Sequence, residues 1–277
     1  MLTSLQNPLV KQLRKLQQAK ARAEQGFFLI EGTHLLEAAC AVSYPLEIVC
    51  CTEDWQSRYP QLWDQASRQA VRTELVSAAV LEAIATTVHP DGVIATAQRR
   101  GQIPDQRIAT PGISAQPIQL GVGLETLQDP GNLGTIIRTA AAAGVDRLWL
   151  SADSVDLDHP KVLRASAGQW FRLPMQVSLD LATDLQAQQS TGVQIISTLP
   201  TADRTYWQVD FTRPTIVLLG NEGAGLSQRL AGIADLAVRI PQVAEVESLN
   251  VGIAAALLLY EARRQLTAAR QMPNTEV

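Results

Sequence analysis

The stretch from Thr215 to Gln265 ends in NVGIAAALLLYEARRQ, and this run limits the fold more than any other feature of the chain. Val251, Ile253, Ala254, Ala255, Ala256, Leu257, Leu258, Leu259 and Tyr260 point in every direction around a helix axis and leave no polar stripe. A helix that is apolar all round has to be covered on more than one side. The pattern therefore predicts a helix, from about Leu249 to Gln265, that packs on its own sheet and on a second subunit. The alternative is a central helix inside one core. Just upstream, the apolar strands TIVLLG and LAVRIP each run into a polar loop. One loop carries Asn221 and Glu222; the other carries Glu245, Glu247, Ser248 and Asn250. Loops that leave strand ends are where α/β proteins place their chemistry.

Strand and helix alternate through the rest of the chain. Over residues 26–100 the alternation predicts a small α/β/α layer domain. GQIPDQRIATPGISAQP, residues 101–117, has three prolines, two glycines and no period, and reads as a linker. From Ile118 onward, apolar strands alternate with helices, which predicts a mostly parallel sheet covered on both faces in residues 118–277. Within that region, QDPGNLGTIIRTAAAAG places Asn132 near a helix start and Arg138 among small apolar residues. Arg138 is either an end-of-stripe residue reaching solvent or a guanidinium that needs an anionic partner. Glu222 is either a surface turn acid or that partner. Ser248 is a natural cap for the last helix.

A formal charge of −4 over 277 residues rules out a global basic field, so any nucleic-acid contact has to be local. The one cationic run is N-terminal: Lys11, Arg14, Lys15, Lys20 and Arg22 precede the first acid, Glu24. Leu5, Leu9, Val10, Leu13 and Leu16 fall between them at helical spacing, giving a helix with one apolar and one cationic side. Cys40, Cys50 and Cys51 have neither disulfide nor zinc-knuckle spacing, and three scattered histidines do not make a metal site. The N-terminus lacks the apolar run of a signal peptide and no stretch reaches membrane length, so the expected setting is the cytoplasm. GVGLET, residues 121–126, lacks the third glycine of the dinucleotide fingerprint, which disfavours an oxidoreductase.

Three ordered segments then acquire a joint meaning. N-x-G-x-x-x-R-T-A (Asn132 to Ala140), L-G-N-E-G-x-G-L-S (Leu219 to Ser227) and I-P…S-L-N-V…A-A (Ile240 to Ala255) strongly resemble the three motifs of the SpoU-type (TrmH-like) RNA 2′-O-ribose methyltransferases of the SPOUT superfamily. F-L-I-E-G-x-x-L-L-E-A-A, Phe28 to Ala39, is similar to that family's substrate-binding domain, and K-V-L-R-A-S-A-G, Lys161 to Gly168, to a further family segment.

The resemblance implies an α/β fold: residues 1–100 as a ribosomal-protein-like α/β/α RNA-binding domain, and residues 118–277 as a SPOUT domain with a deep trefoil knot. It implies methyl transfer from S-adenosylmethionine (AdoMet) to a ribose 2′-OH of a structured RNA, with ribosomal RNA the expected target. Transfer RNA, methylation of a base nitrogen, and a non-catalytic RNA-binding relative are the alternatives. By the same resemblance, Asn132, Arg138, Glu222, Ser248 and Asn250 are catalytic. Thr198, Leu199, Pro200, Gly220, Asn221, Gly223, Ile240 and Leu249 would hold the donor. Lys11, Arg14, Lys15, Lys161 and Arg164 would meet RNA, and the enzyme would be a homodimer through the knot helices, the last helix included. Arg138, oriented by Glu222, is expected to anchor a phosphate rather than act as a base. Two departures stand out: acids in the loop Gln242 to Glu247, and Gly252 where many relatives have serine.

Overall fold

The computed structural model describes residues 1–99, 117–243 and 248–271. The contacts divide the chain into two compact units. One comprises Met1–Ala109 together with Asp156–Arg172; the other comprises Thr110–Val155 and Leu173–Val277. The proposed linker, residues 101–117, lies outside the described residues except for Pro117. One feature was not anticipated: a segment from the middle of the second half, including Lys161 and Arg164, is built into the first unit.

The first unit runs α1 (Pro8–Lys15), α2 (Ala19–Gln25), β1 (Phe27–Glu31), α3 (Thr33–Ala41), β2 (Leu46–Cys51), α4 (Glu53–Arg58), α5 (Pro60–Gln69), β3 (Ala70–Leu75), α6 (Ala78–Ile84) and β4 (Val93–Gln98). Its sheet has the order β1-β4-β2-β3, with β4 antiparallel to both of its neighbours. Helix α1 starts at Asn7, whose side chain accepts the Leu9 N–H, and has Pro8 in its first turn, where the missing donor costs nothing. It buries Leu9, Val10 and Leu13 against Val80, Leu81 and Ile84 of α6. Lys11, Arg14 and Lys15 are left in solvent.

The inserted segment holds α8 (Pro160–Ala165) and the turn Gln169–Phe171. The Trp170 ring packs on Phe28 and Tyr44, at centroid distances of 5.1 and 5.8 Å. Asp156 and Asp158 receive the guanidinium of Arg22, which is only 1% exposed. The N-terminal cationic run is therefore one charge shorter than its sequence indicates.

The second unit contains β5 (Leu120–Leu124), α7 (Pro130–Ala143), β6 (Arg147–Ser151), β7 (Met175–Ser178), α9 (Leu181–Gln189), β8 (Gln194–Thr198), β9 (Arg204–Thr205), β10 (Thr215–Leu219), α10 (Gln228–Ile233), β11 (Leu236–Arg239) and α11 (Val251–Gln271). The strand order is β7-β6-β5-β10-β8-β11-β9, and every pairing is parallel. The expected parallel sheet is present, with β10 and β5 buried at all five positions. Chain order jumps at β5-β10 and β10-β8, which puts the ends of β8, β10 and β11 side by side.

Helix α11 packs along α7. A Cβ on Gly252 would touch Thr135 Cγ2 of α7 at an ordinary 3.4 Å but would come within a tight 3.1 Å of Asn250 Oδ1. Glycine at 252 thus leaves room for the Asn250 side chain at the start of the same helix. Ala255, Leu258, Leu259 and Ala262 are fully covered, whereas Ile253, Leu257 and Tyr260 remain 52, 37 and 54% exposed. These three form one apolar stripe at spacings of four and three residues. Among the described residues no helix is long and apolar enough to cross a membrane.

Candidate active site

The carboxyl ends of β8, β10 and β11 open into a cavity of about 360 Å³, closed on one side by the start of α11. Thr198, Leu199 and Pro200 leave β8; Gly220, Asn221 and Gly223 follow β10; Ile240 follows β11; Leu249 precedes α11. All eight residues expected to hold a donor line this one cavity. Leu219, Val238, Arg239, Gln242, Val251 and Ala254 share it without having been singled out, since strand-end position is shown only by the sheet order.

The glycine-rich loop owes its shape to its own return path. Asn221 and Gly225 exchange both backbone hydrogen bonds at 3.0 Å, and Gly225 sits at φ +70°. A Cβ on Gly220 would come within 2.2 Å of the Gly225 carbonyl carbon, so no larger residue fits at that point. The Asn221 carbonyl oxygen of the side chain accepts the N–H groups of Gly223 and Ala224, and its amide donates to the Thr126 carbonyl at 2.8 Å. Asn221 therefore shapes the wall with its side chain already committed. The Thr198 hydroxyl is likewise engaged, on the Leu218 carbonyl. Backbone groups of this wall are what remains to meet a ligand.

At the rim, Glu222 collects the start of α7. Its carboxylate accepts the N–H groups of Gln128 and Asp129 and the Asn132 side-chain amide, at 3.3, 3.2 and 3.1 Å. Asn132 Oδ1 accepts in turn from the Asn250 amide at 2.9 Å. Burial pushes the Glu222 carboxyl upward, but the hydrogen bonds from Asn132 and from the Asp129 and Gln128 backbone outweigh it and hold the group below its usual range. Asn250 also caps α11, accepting from Gly252 N–H at 2.9 Å and Ile253 N–H at 3.3 Å. The cap is thus Asn250 rather than Ser248, which lines the cavity.

Arg138 is not part of this group. It lies on the exposed side of α7 and, among the described residues, forms no hydrogen bond or ion pair. The pairing of Glu222 with Arg138 is therefore corrected: Asn132 and two backbone amides occupy the carboxylate, and the guanidinium is open to an external anion. The two acids of the 242–247 loop, Glu245 and Glu247, lie outside the described residues. In the first unit, Lys11, Arg14, Lys15 and Lys161 are exposed. Arg164 is half-buried, 3.3 Å from the Glu31 carboxylate and 2.7 Å from the Thr86 hydroxyl, so much of its donor capacity is internal.

A parallel sheet carrying a glycine-walled cavity at its strand ends, rimmed by a linked pair of asparagines and a carboxylate, has the layout of an α/β group-transfer domain. The profile described as the SpoU rRNA Methylase family matches residues 119–260, and that of the MRM3-like substrate binding domain matches residues 7–95. The chain belongs to the SpoU rRNA methylase family. A protein of Synechocystis sp. named as an uncharacterized tRNA/rRNA methyltransferase is 51% identical, over 97% of this chain and 95% of its own. The 23S rRNA (guanosine(2553)-2′-O)-methyltransferase RlmP of Bacillus subtilis is 30% identical, over 95% of this chain and 98% of its own. An AdoMet-bound rRNA methyltransferase from Sinorhizobium meliloti superposes with a TM-score of 0.82 at 32% identity, covering 96% of this chain and 97% of that one.

Proposed function

We propose that the protein transfers the methyl group of AdoMet to a ribose 2′-OH of ribosomal RNA. The observation that carries this reading is the single cavity formed by Thr198–Pro200, the Gly220–Gly225 turn, Ile240 and Leu249, with Asn132, Glu222 and Asn250 joined at its rim. Its volume of about 360 Å³ falls in the range of small-ligand sites. Its wall offers backbone donors and acceptors to a nucleoside, and the ionised Glu222 favours a sulfonium cation. When bound, AdoMet supplies an already activated methyl group.

What the chain contributes is positioning. Glu222 fixes the first turn of α7, Asn132 and Asn250 hold each other at the cavity mouth, and Ser248 presents a hydroxyl beside them. Arg138 anchors the phosphate next to the target ribose and stabilises the developing alkoxide. Its guanidinium carries donors only and does not accept the proton. Lys11, Arg14, Lys15 and Lys161 meet the RNA backbone from the first unit, with Arg164 a secondary contact because Glu31 already holds it.

The remaining parts of the reading follow from family membership and from the exposed stripe on α11. The C-terminal part of the second unit is threaded as a deep trefoil knot. The protein is a homodimer in which Ile253, Leu257 and Tyr260 are covered by a second copy, and it works in the cytoplasm. The test is to map 2′-O-methyl groups by mass spectrometry in RNA from cells with and without the gene, and in vitro with purified protein. Loss of one ribosomal ribose methyl is expected. Loss from transfer RNA, or of a base methyl, would replace the substrate named here.

A further inference from the structure

The loop that joins β5 to α7 is held from two sides, and only one belongs to the motifs. On the cavity side, Asn221 takes the Thr126 carbonyl and Glu222 takes the Gln128 and Asp129 amides. On the other side stands the polar segment that follows β6. Ser151 Oγ accepts the Thr126 N–H at 2.7 Å, and Ser154 Oγ accepts the Leu127 N–H at 3.0 Å. The Asp153 carboxylate accepts the Thr126 and Ser151 hydroxyls at 2.7 and 2.6 Å. The Asp153 carbonyl takes the Gln128 side-chain amide at 3.0 Å.

Thr126 at the centre has φ +51°, a left-handed conformation that a β-branched residue rarely adopts. Backbone held in such a region persists only when its surroundings over-determine it. Here the segment at the end of β6 supplies that restraint, through its bonds to Thr126, Leu127 and Gln128. Without it, the relaxed loop would withdraw the Gln128 and Asp129 amides from Glu222 and loosen Asn132.

We propose that Asp153, with Ser151 and Ser154, is a positioning residue for methyl transfer, acting by locking Thr126 in its left-handed conformation so that Glu222 and Asn132 meet. The proposal rests on the reaction proposed above. Hydrogen bonds from Ser151 and then Thr126 hold the Asp153 carboxyl below its usual range, so the lock is charged and complete at neutral pH.

Asp153→Ala should lower kcat by about tenfold or more while AdoMet and RNA dissociation constants change by less than about twofold. Rescue separates this role from general stability. Glycine adopts a positive φ without strain, so Thr126→Gly should make the lock dispensable. The double variant Thr126→Gly/Asp153→Ala is expected to keep kcat within about threefold of Thr126→Gly alone. Unchanged kcat in Asp153→Ala would overturn the proposal, as would a loss in kcat that Thr126→Gly does not reduce. A second readout is independent of turnover: amide hydrogen exchange at Gln128 and Asp129 should accelerate in Asp153→Ala and return toward the parent rate in the double variant. Unaltered exchange there defeats the lock even if the parent protein methylates another RNA. Absence of any methyl transfer by the parent protein counts instead against the reaction.

Discussion

The side-chain amide of Asn250 donates to the side-chain oxygen of Asn132 at 2.9 Å, across 118 positions of sequence. The bond joins the N-cap of α11 to the first turn of α7, and Asn132 passes the connection on to Glu222. Two helix starts and a strand-end loop are thereby set relative to one another by three side chains.

Replacing either asparagine tests that arrangement, and the two changes should differ. Asn132→Ala breaks the chain between Asn250 and Glu222 while α7 keeps its own cap at Asp129, so stability should change little. Asn250→Ala also removes the cap of α11, which costs about 1 kcal/mol. Methyl transfer should fall by about a hundredfold in both, but only Asn250→Ala should lower the melting temperature by several degrees. Comparable melting curves for the two variants would contradict the capping role.

The ionisation of Glu222 gives a pH prediction of definite sign. Its folded pKa lies below the reference value of 4.5, so the carboxylate stabilises the fold above that pH and its contribution is lost as pH falls through the lower folded value. Titration of Glu222 should therefore leave no limb in the pH–rate profile between about pH 6 and 8. Asn132→Asp puts a second carboxylate where the amide donated, which should raise the Glu222 pKa and bring an acid limb into view. A profile parallel to that of the parent protein would show that the two groups do not sense each other.

How much of this was legible in the sequence depended on how local each cause is. The donor-wall residues could be named because the three ordered motifs resemble a known family and carry those positions with them, and all eight share one cavity. Partnerships were another matter. Arg22 reads as one more cation in a basic run, yet it is buried because Asp156 and Asp158, more than 130 positions away, return to it. Glu222 and Arg138 are complementary in charge and conserve nothing in the sequence to say that Asn132 reaches the carboxylate first. Ser248 and Asn250 are equally good caps, and only the two-residue position of the helix start decides between them. Ser151, Asp153 and Ser154 belong to none of the motifs, and their targets between β5 and α7 are brought beside them by strand pairing.

Arg138→Ala isolates the motif residue that stands apart from the linked Asn132, Glu222 and Asn250. Since Arg138 has no partner among the described residues and does not line the donor cavity, its removal should leave the fold and AdoMet binding intact. Transfer should drop by at least about a hundredfold, and Arg138→Lys should recover little, because a point charge does not reproduce the bidentate fork. Calorimetry with AdoMet and a labelled-methyl assay report the two properties separately. Turnover near that of the parent protein would remove Arg138 from the mechanism.

The exposed cations of α1 make a prediction about salt. Lys11, Arg14 and Lys15 stand in solvent, while the apolar side of their helix is buried against α6. Replacing all three with glutamine should weaken RNA binding and flatten the plot of log K against log salt by about 2 to 3 units of slope. Arg22 gives the internal control. Arg22→Gln should leave the slope alone but destabilise the first unit, since it removes a buried guanidinium and leaves Asp156 and Asp158 to Arg99 alone. An identical salt response in the triple variant and the parent protein would move the RNA contact elsewhere.

Ile253, Leu257 and Tyr260 provide the test of assembly. Each is more than a third exposed on α11, although the opposite side of the same helix is fully covered. Burying an aliphatic or aromatic side chain contributes about 1.5 to 3 kcal/mol, and in a twofold dimer each residue is buried twice. The stripe is thus large enough to matter to association, and a charge placed in it has no partner. Ile253→Glu/Leu257→Glu should convert a dimer into a monomer by light scattering at micromolar concentration, with little change in far-ultraviolet circular dichroism, because neither side chain enters the chain's own core. If the parent protein is itself a monomer, or the double variant still elutes as a dimer, the second copy does not cover this stripe.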